Sequence, residues 1–170
     1  MEKIFLIGFM GSGKTTLGKK IASHLHLEFI DMDDYIELKE GRSISSIFEK
    51  EGEEYFRVLE QEALKELLKK ENVLVSAGGG TPCFFNNMEL INAVAQSVYL
   101  KVEPEMLLGR LKGATAKRPL LAHLTTEELR LQISEKLASR EPYYLQSKIV
   151  HASKGSPNKD LADLVAILSH

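Results

Sequence analysis

The octapeptide Gly8-Phe9-Met10-Gly11-Ser12-Gly13-Lys14-Thr15 fits the pattern G-x-x-x-x-G-K-[ST], and it lies where that pattern has physical meaning. Ile4 to Ile7 before it is an apolar run of strand character. After it, Leu17, Ile21 and Leu25 recur at helical spacing within Lys14 to Leu25. A glycine-rich turn between strand and helix can aim its backbone N–H groups at phosphate oxygens, and the helix adds its positive end. Lys14 is then placed to bridge the β and γ phosphates, and Thr15 to ligate Mg²⁺. Gly11, Ser12, Gly13, Lys14, Thr15 and Thr16 are therefore expected to form a phosphate-binding loop (P-loop) for a nucleoside triphosphate. A plain glycine turn with an exposed lysine is the alternative, and the agreement of motif and context weighs against it.

The same alternation continues along the chain. Leu27 to Ile30 reads as a second strand ending in Asp31, Asp33 and Asp34, with Asp34 opening a short helix, Tyr35 to Lys39, that Gly41 closes. Ser43 caps another short helix through Phe48. Glu53 to Lys70 is the longest helical signal, with Tyr55, Leu59, Ala63 and Leu67 four residues apart. Val73 to Ser76 reads as a buried strand entering Gly78-Gly79-Gly80. A helix capped near Asn86 or Asn87 follows, then a strand from Ser97 to Val102 and a helix opened by Pro104. Gly113 to His123 loses periodicity and reads as a surface loop. Thr125 or Thr126 caps a helix running toward Arg140, Pro142 restarts the chain, Ile149 to His151 is a last strand, and Lys159 to Leu168 a terminal helix. Five strands interleaved with helices predict an α/β, doubly wound P-loop kinase fold: a five-stranded parallel sheet with helices on both faces. Ligands are expected beyond the carboxyl ends of its strands. The expectation is one domain over 1–170 with a lid at about 112–124.

Composition bounds the partners. A chain of 170 residues, 44% hydrophobic and 27% charged, can bury a core, and a net charge of −2 advertises no nucleic-acid or membrane partner. The lone cysteine, Cys83, rules out an internal disulfide and fits the cytoplasm. It is expected to be an inert thiol. The five histidines show no metal-ligand spacing, and no apolar run is long enough to span a bilayer. A soluble, untargeted monomer acting on a small molecule is the expectation.

Asp31 and Asp33 lie at the end of the second strand, beside the P-loop if the first two strands are close. One carboxylate could serve the Mg²⁺ shell and the other hold a substrate hydroxyl and act as its base. The glycine triplet leaves bare backbone that a ligand can approach. Arg57, Arg110, Arg118 and Arg140 are candidate partners for anionic groups, and Glu60, at i+3 from Arg57, is spaced to hold that guanidinium.

Taken in order, the P-loop from Gly8, Asp31-Met32-Asp33, Phe56-Arg57, Gly78-Gly79-Gly80, Arg118-Pro119-Leu120-Leu121 and Arg140-Glu141-Pro142-Tyr143-Tyr144 resemble shikimate kinase, from Ile4 to about Tyr144. The resemblance implies transfer of the ATP γ-phosphoryl group, with Mg²⁺, to the 3-hydroxyl of shikimate on the route to chorismate and the aromatic amino acids. It implies Asp33 as hydroxyl anchor and base, Asp31 as Mg²⁺ support through water, and Lys14 and Arg118 on the phosphates. It further implies Arg57 and Arg140 on the substrate carboxylate, Gly79 within the triplet as a backbone contact, Phe48 and Phe56 as pocket walls, and Arg110 against adenine. The family's further adenine contact falls in Ala152 to Asn158, where Lys154 or Asn158 is the candidate.

Two other readings compete. A gluconate-type sugar-acid kinase would share the P-loop and lid but not necessarily the Arg57 and Arg140 pair. A GTPase-like switch is suggested by Asn158-Lys159-Asp160, yet the fourth position of N-K-x-D is here Leu161.

Overall fold

The computed structural model describes residues 2–114 and 121–170. Five strands, β1 (Lys3–Ile7), β2 (Glu28–Asp31), β3 (Val73–Ser76), β4 (Gln96–Lys101) and β5 (Ile149–Ala152), form one parallel sheet in the order β2-β3-β1-β4-β5. Among the described residues eight α-helices accompany them: α1 (Lys14–Leu25), α2 (Met32–Glu40), α3 (Ile44–Glu51), α4 (Glu53–Leu67), α5 (Asn87–Val94), α6 (Pro104–Gly113), α7 (Thr126–Tyr144) and α8 (Pro157–Leu168). The doubly wound sheet expected from the sequence is the one observed.

Strand alternation divides the core. Along β1, Ile4 and Leu6 point into one apolar layer with Leu74, Val98 and Leu100, which α1 and α8 cover through Ile21, Ala22, Leu164 and Leu168. Phe5 and Ile7 point the other way, into a larger layer with Val75 and Tyr99 that helices α2 to α7 cover. The central strands are buried on both faces and so read as unbroken apolar runs in the sequence.

Local chemistry explains most boundaries. Ser43 caps α3 by accepting from the backbone N–H of Ser46, and Thr125 and Glu128 form a reciprocal capping box at the start of α7. Three expectations need correction. First, α2 begins at Met32, and it is Asp31 that caps it, accepting from the N–H groups of Asp33 and Asp34. Strand β2 runs straight into the helix, so the strand's last residue is the cap and Asp34 merely lies in the first turn. Second, β3 separates β1 from β2, so the acidic strand end is not carried by a neighbour of β1. Third, Pro142 does not restart the chain; it sits inside α7, which continues to Tyr144. Tyr144 is fully buried and bonded to the Gly79 carbonyl oxygen, and this anchorage carries the last turn past the proline.

Candidate active site

A cleft of about 490 Å³ opens at the carboxyl ends of the strands, lined by the P-loop, Asp31, Asp33, Ser76 to Gly79, Arg110 and Pro157. Gly13, at φ 95°, holds a left-handed conformation immediately before α1, which lets the loop turn directly into the helix. The Lys14 ammonium donates to the carbonyl oxygens of Gly8 and Phe9 at 2.7 and 3.0 Å, so the cation is kept over the loop. The hydroxyl of Ser12 is buried and has no hydrogen-bond partner among the described residues, a polar atom in a loop shaped for anions.

Although β3 stands between their strands, the P-loop helix and β2 meet at this edge. The Thr15 hydroxyl donates to Asp31 Oδ2 at 2.8 Å, while Asp31 Oδ1 caps α2. These hard oxygens suit Mg²⁺. Among the described residues no cluster of three or more His, Cys, Asp or Glu side chains could hold a metal.

Asp33 points into the same cleft from the first turn of α2. Burial, then the nearby charges of Asp31 and Glu60, push its carboxyl up to about 6 from the ordinary 3.8, against the opposing pull of Lys14. A carboxylate poised near neutrality is suited to take a proton from a hydroxyl.

The glycine triplet is the meeting point of two distant helices. A Cβ on Gly79 would lie 3.3 Å from Arg140 Nη1, and one on Gly80 would lie 2.6 Å from Arg57 Nη1 and 2.9 Å from its Cζ. A side chain on Gly80 would overlap the Arg57 guanidinium, and one on Gly79 would crowd that of Arg140. Arg57, 8% exposed, donates to Glu60 at 2.9 Å and to Glu53 at 3.2 and 3.3 Å. Glu60 is itself buried and accepts from the Thr81 hydroxyl at 2.6 Å, so the i+3 brace expected from the sequence is present and anchored in turn. Tyr144 donates to the Gly79 carbonyl oxygen, fixing α7 to the triplet.

Phe48 and Phe56 pack on one another with ring centroids 4.8 Å apart, and both lie near Arg57. Phe56 is buried in the core behind the arginine. Arg110 reaches the far end of the cleft and donates to the Gly11 carbonyl oxygen at 3.2 Å. Opposite, the cleft is lined by Pro157 and Asp160, and not by Lys154 or Asn158. Asp160 accepts from Ser153, from the Lys154 N–H and from His151, which ties the β5–α8 connection together. Arg118 lies outside the described residues, as does the middle of the expected lid, residues 115–120. Cys83 is half-buried, and burial pushes its thiol up to about 11, which favours the neutral thiol over the thiolate.

Sequence reasoning missed Phe84, whose ring centroid is 4.1 Å from Arg57 Cζ, and it missed Thr81, Tyr144 and Pro157. A signal was available for the first two, since both lie within four residues of the glycine triplet. The others depend on how α7 and α8 dock.

A parallel sheet carrying a P-loop, with a carboxylate pair beside it and two arginines gathered on the glycine triplet, defines the P-loop kinases of small molecules. The family model described as shikimate kinase matches residues 10–169, and the chain belongs to the shikimate kinase family. It is 46% identical to shikimate kinase from Azobacteroides pseudotrichonymphae over 96% of both chains. The crystal structure of shikimate kinase from Bacteroides thetaiotaomicron superposes with a TM-score of 0.94 at 38% identity, covering 99% of both chains. That of shikimate kinase from Acinetobacter baumannii in complex with shikimate does so with a TM-score of 0.88 at 35% identity, covering 99% of this chain and 94% of the other.

Proposed function

We propose that this chain transfers the γ-phosphoryl group of ATP to the 3-hydroxyl of shikimate. The observation that carries the reading is the convergence of Arg57 and Arg140 on Gly79 and Gly80, next to Asp33 and the P-loop. Two guanidinium groups over bare backbone match a planar carboxylate, and a neutral polyol would offer them no negative charge. With the acceptor carboxylate gripped there, a ring hydroxyl faces Asp33, which takes its proton as the oxygen attacks phosphorus. Lys14 and the P-loop N–H groups hold the transferring phosphate in line, and by the resemblance Arg118 adds positive charge to it. Arg110 and Pro157 flank the space for adenine. Thr15 and Asp31 would hold Mg²⁺, whose chemistry is to neutralise the β and γ phosphate charge. The reading carries with it a monomeric enzyme of the cytoplasm, supported by the balanced charge and by a lone thiol that needs no oxidising compartment.

The test is a coupled ADP-release assay with shikimate, quinate, gluconate and no acceptor. Turnover should require shikimate and fall off sharply for gluconate. Arg57→Ala and Arg140→Ala should each weaken acceptor use by about ten- to a hundredfold, because a hydrogen bond to a charged partner contributes about 1.5 to 3 kcal/mol and each 1.4 kcal/mol is a factor of ten. ATP affinity should stay the same. Normal shikimate use by both variants, or equal turnover of gluconate, would refute the reading.

A further inference from the structure

We propose that Phe84 is a positioning residue for the acceptor carboxylate, acting through the face of the Arg57 guanidinium; this rests on the carboxylate reading given above. The edges of that guanidinium are held by carboxylates, Nη1 on Glu60 at 2.9 Å and Nε and Nη2 on one oxygen of Glu53 at 3.3 and 3.2 Å. Edge bonds alone leave a planar group able to rock about the line that joins them. Contacts on its face decide the tilt. Arg57 Cζ lies 4.1 Å from the centroid of the Phe84 ring, against 5.2 Å for Phe56 and 6.0 Å for Phe48. The bare backbone of Gly80 completes the slot, since a Cβ there would overlap Nη1, Nη2 and Cζ. Two parallel N–H···O bonds to a carboxylate need the guanidinium plane at one orientation, so the ring that sets the plane sets the grip.

The backbone is arranged to present this ring. A short 3₁₀ turn, Thr81–Cys83, follows the triplet, and its first residue is bonded to Glu60, the same carboxylate that braces Arg57. Phe84 then leaves the turn in extended conformation, and its carbonyl oxygen accepts from the N–H of Asn87 at 3.2 Å. The next residue, Phe85, adopts a left-handed φ of 51°, a conformation that bulky side chains rarely take. Its ring is 60% exposed, whereas that of Phe84 is half-buried against the arginine. The strained turn sends two successive aromatic rings in different directions, and one of them lands on Arg57. A cation held against a ring away from water is attracted to its face more strongly than at an exposed site.

The experiment measures steady-state kinetics for shikimate and ATP in the wild type, Phe84→Leu and Phe84→Tyr, and repeats Phe84→Leu in an Arg57→Ala background. Phe84→Leu should raise the shikimate KM about tenfold, with kcat changed less than twofold and the ATP KM unchanged. Phe84→Tyr, which keeps the ring, should restore the wild-type KM. In the Arg57→Ala background Phe84→Leu should have no further effect. Fluorinated phenylalanines placed at position 84 keep the shape and withdraw charge from the ring face, so the shikimate KM should climb with fluorine number even if the leucine variant folds poorly. A wild type that does not use shikimate would overturn the functional reading and this inference with it. A wild type that does, with an unchanged KM in Phe84→Leu or across the fluorinated series, would overturn this inference alone. An equal effect of Phe84→Leu with and without Arg57 would do the same.

Discussion

Asp33→Asn should make the protein more stable while removing its activity, and the pH dependence of that gain follows from the site. In the unfolded chain Asp33 ionises near 3.8; in the folded cleft burial and the charges of Asp31 and Glu60 hold it protonated up to about 6. Between those two values the native state binds more protons than the unfolded state, so stability falls as pH rises through the window and the full cost is present above about 6. At 1.36 kcal/mol per pH unit this is about 3 kcal/mol at pH 7.5, and about half of that at pH 5. Asparagine has nearly the same shape and never ionises, so the variant escapes the cost. For a chain of this size the gain corresponds to a rise in Tm of about 6 to 12 °C. The assay is urea denaturation of the ligand-free protein and the variant at pH 7.5 and pH 5, with turnover measured on the same samples. An asparagine variant no more stable than the wild type at pH 7.5, or a gain identical at both pH values, would refute the argument. Near wild-type turnover in the folded variant would remove Asp33 from the role of base.

Lys14→Ala should fold and lose turnover by orders of magnitude, because phosphoryl transfer depends on positioning and charge; circular dichroism and the ADP-release assay check the two halves. Gly80→Ala should raise the shikimate KM at least tenfold with little change in the ATP KM, since its methyl group would overlap the Arg57 guanidinium; unchanged acceptor kinetics would show that the slot adjusts freely. Asp160→Asn should cost about 1 to 3 kcal/mol at pH 7, measured by urea denaturation, through weakened bonds to Ser153, the Lys154 N–H and His151. Burial alone would raise the Asp160 carboxyl, but those hydrogen bonds outweigh it and hold it below the usual range, so its stabilising contribution is present at neutral pH and is lost as pH falls through the acid range.

Much of the site could be read without coordinates because its parts are local. The P-loop is eight consecutive residues between two elements, the Arg57 and Glu60 pair is one turn of one helix, and the strands announce themselves as short apolar runs. Even the difference between α7 and the predicted break at Pro142 follows from a contact that no local pattern contains, the bond between Tyr144 and the backbone of Gly79.

Short-range steric and hydrogen-bonding preferences act along the chain, so the amino-acid order settled the succession of strands and helices, the phosphate loop and the capping of α3 and α7. Which strands became neighbours was settled only in three dimensions, where β3 entered between β1 and β2. That insertion brings the glycine triplet to the centre of the cleft, where Arg57 from α4 and Arg140 from α7 meet it and Phe84 closes on the arginine. These encounters join residues far apart in sequence. They arise from burying two apolar layers on opposite faces of one sheet, a long-range requirement that leaves no mark in any short window of the chain.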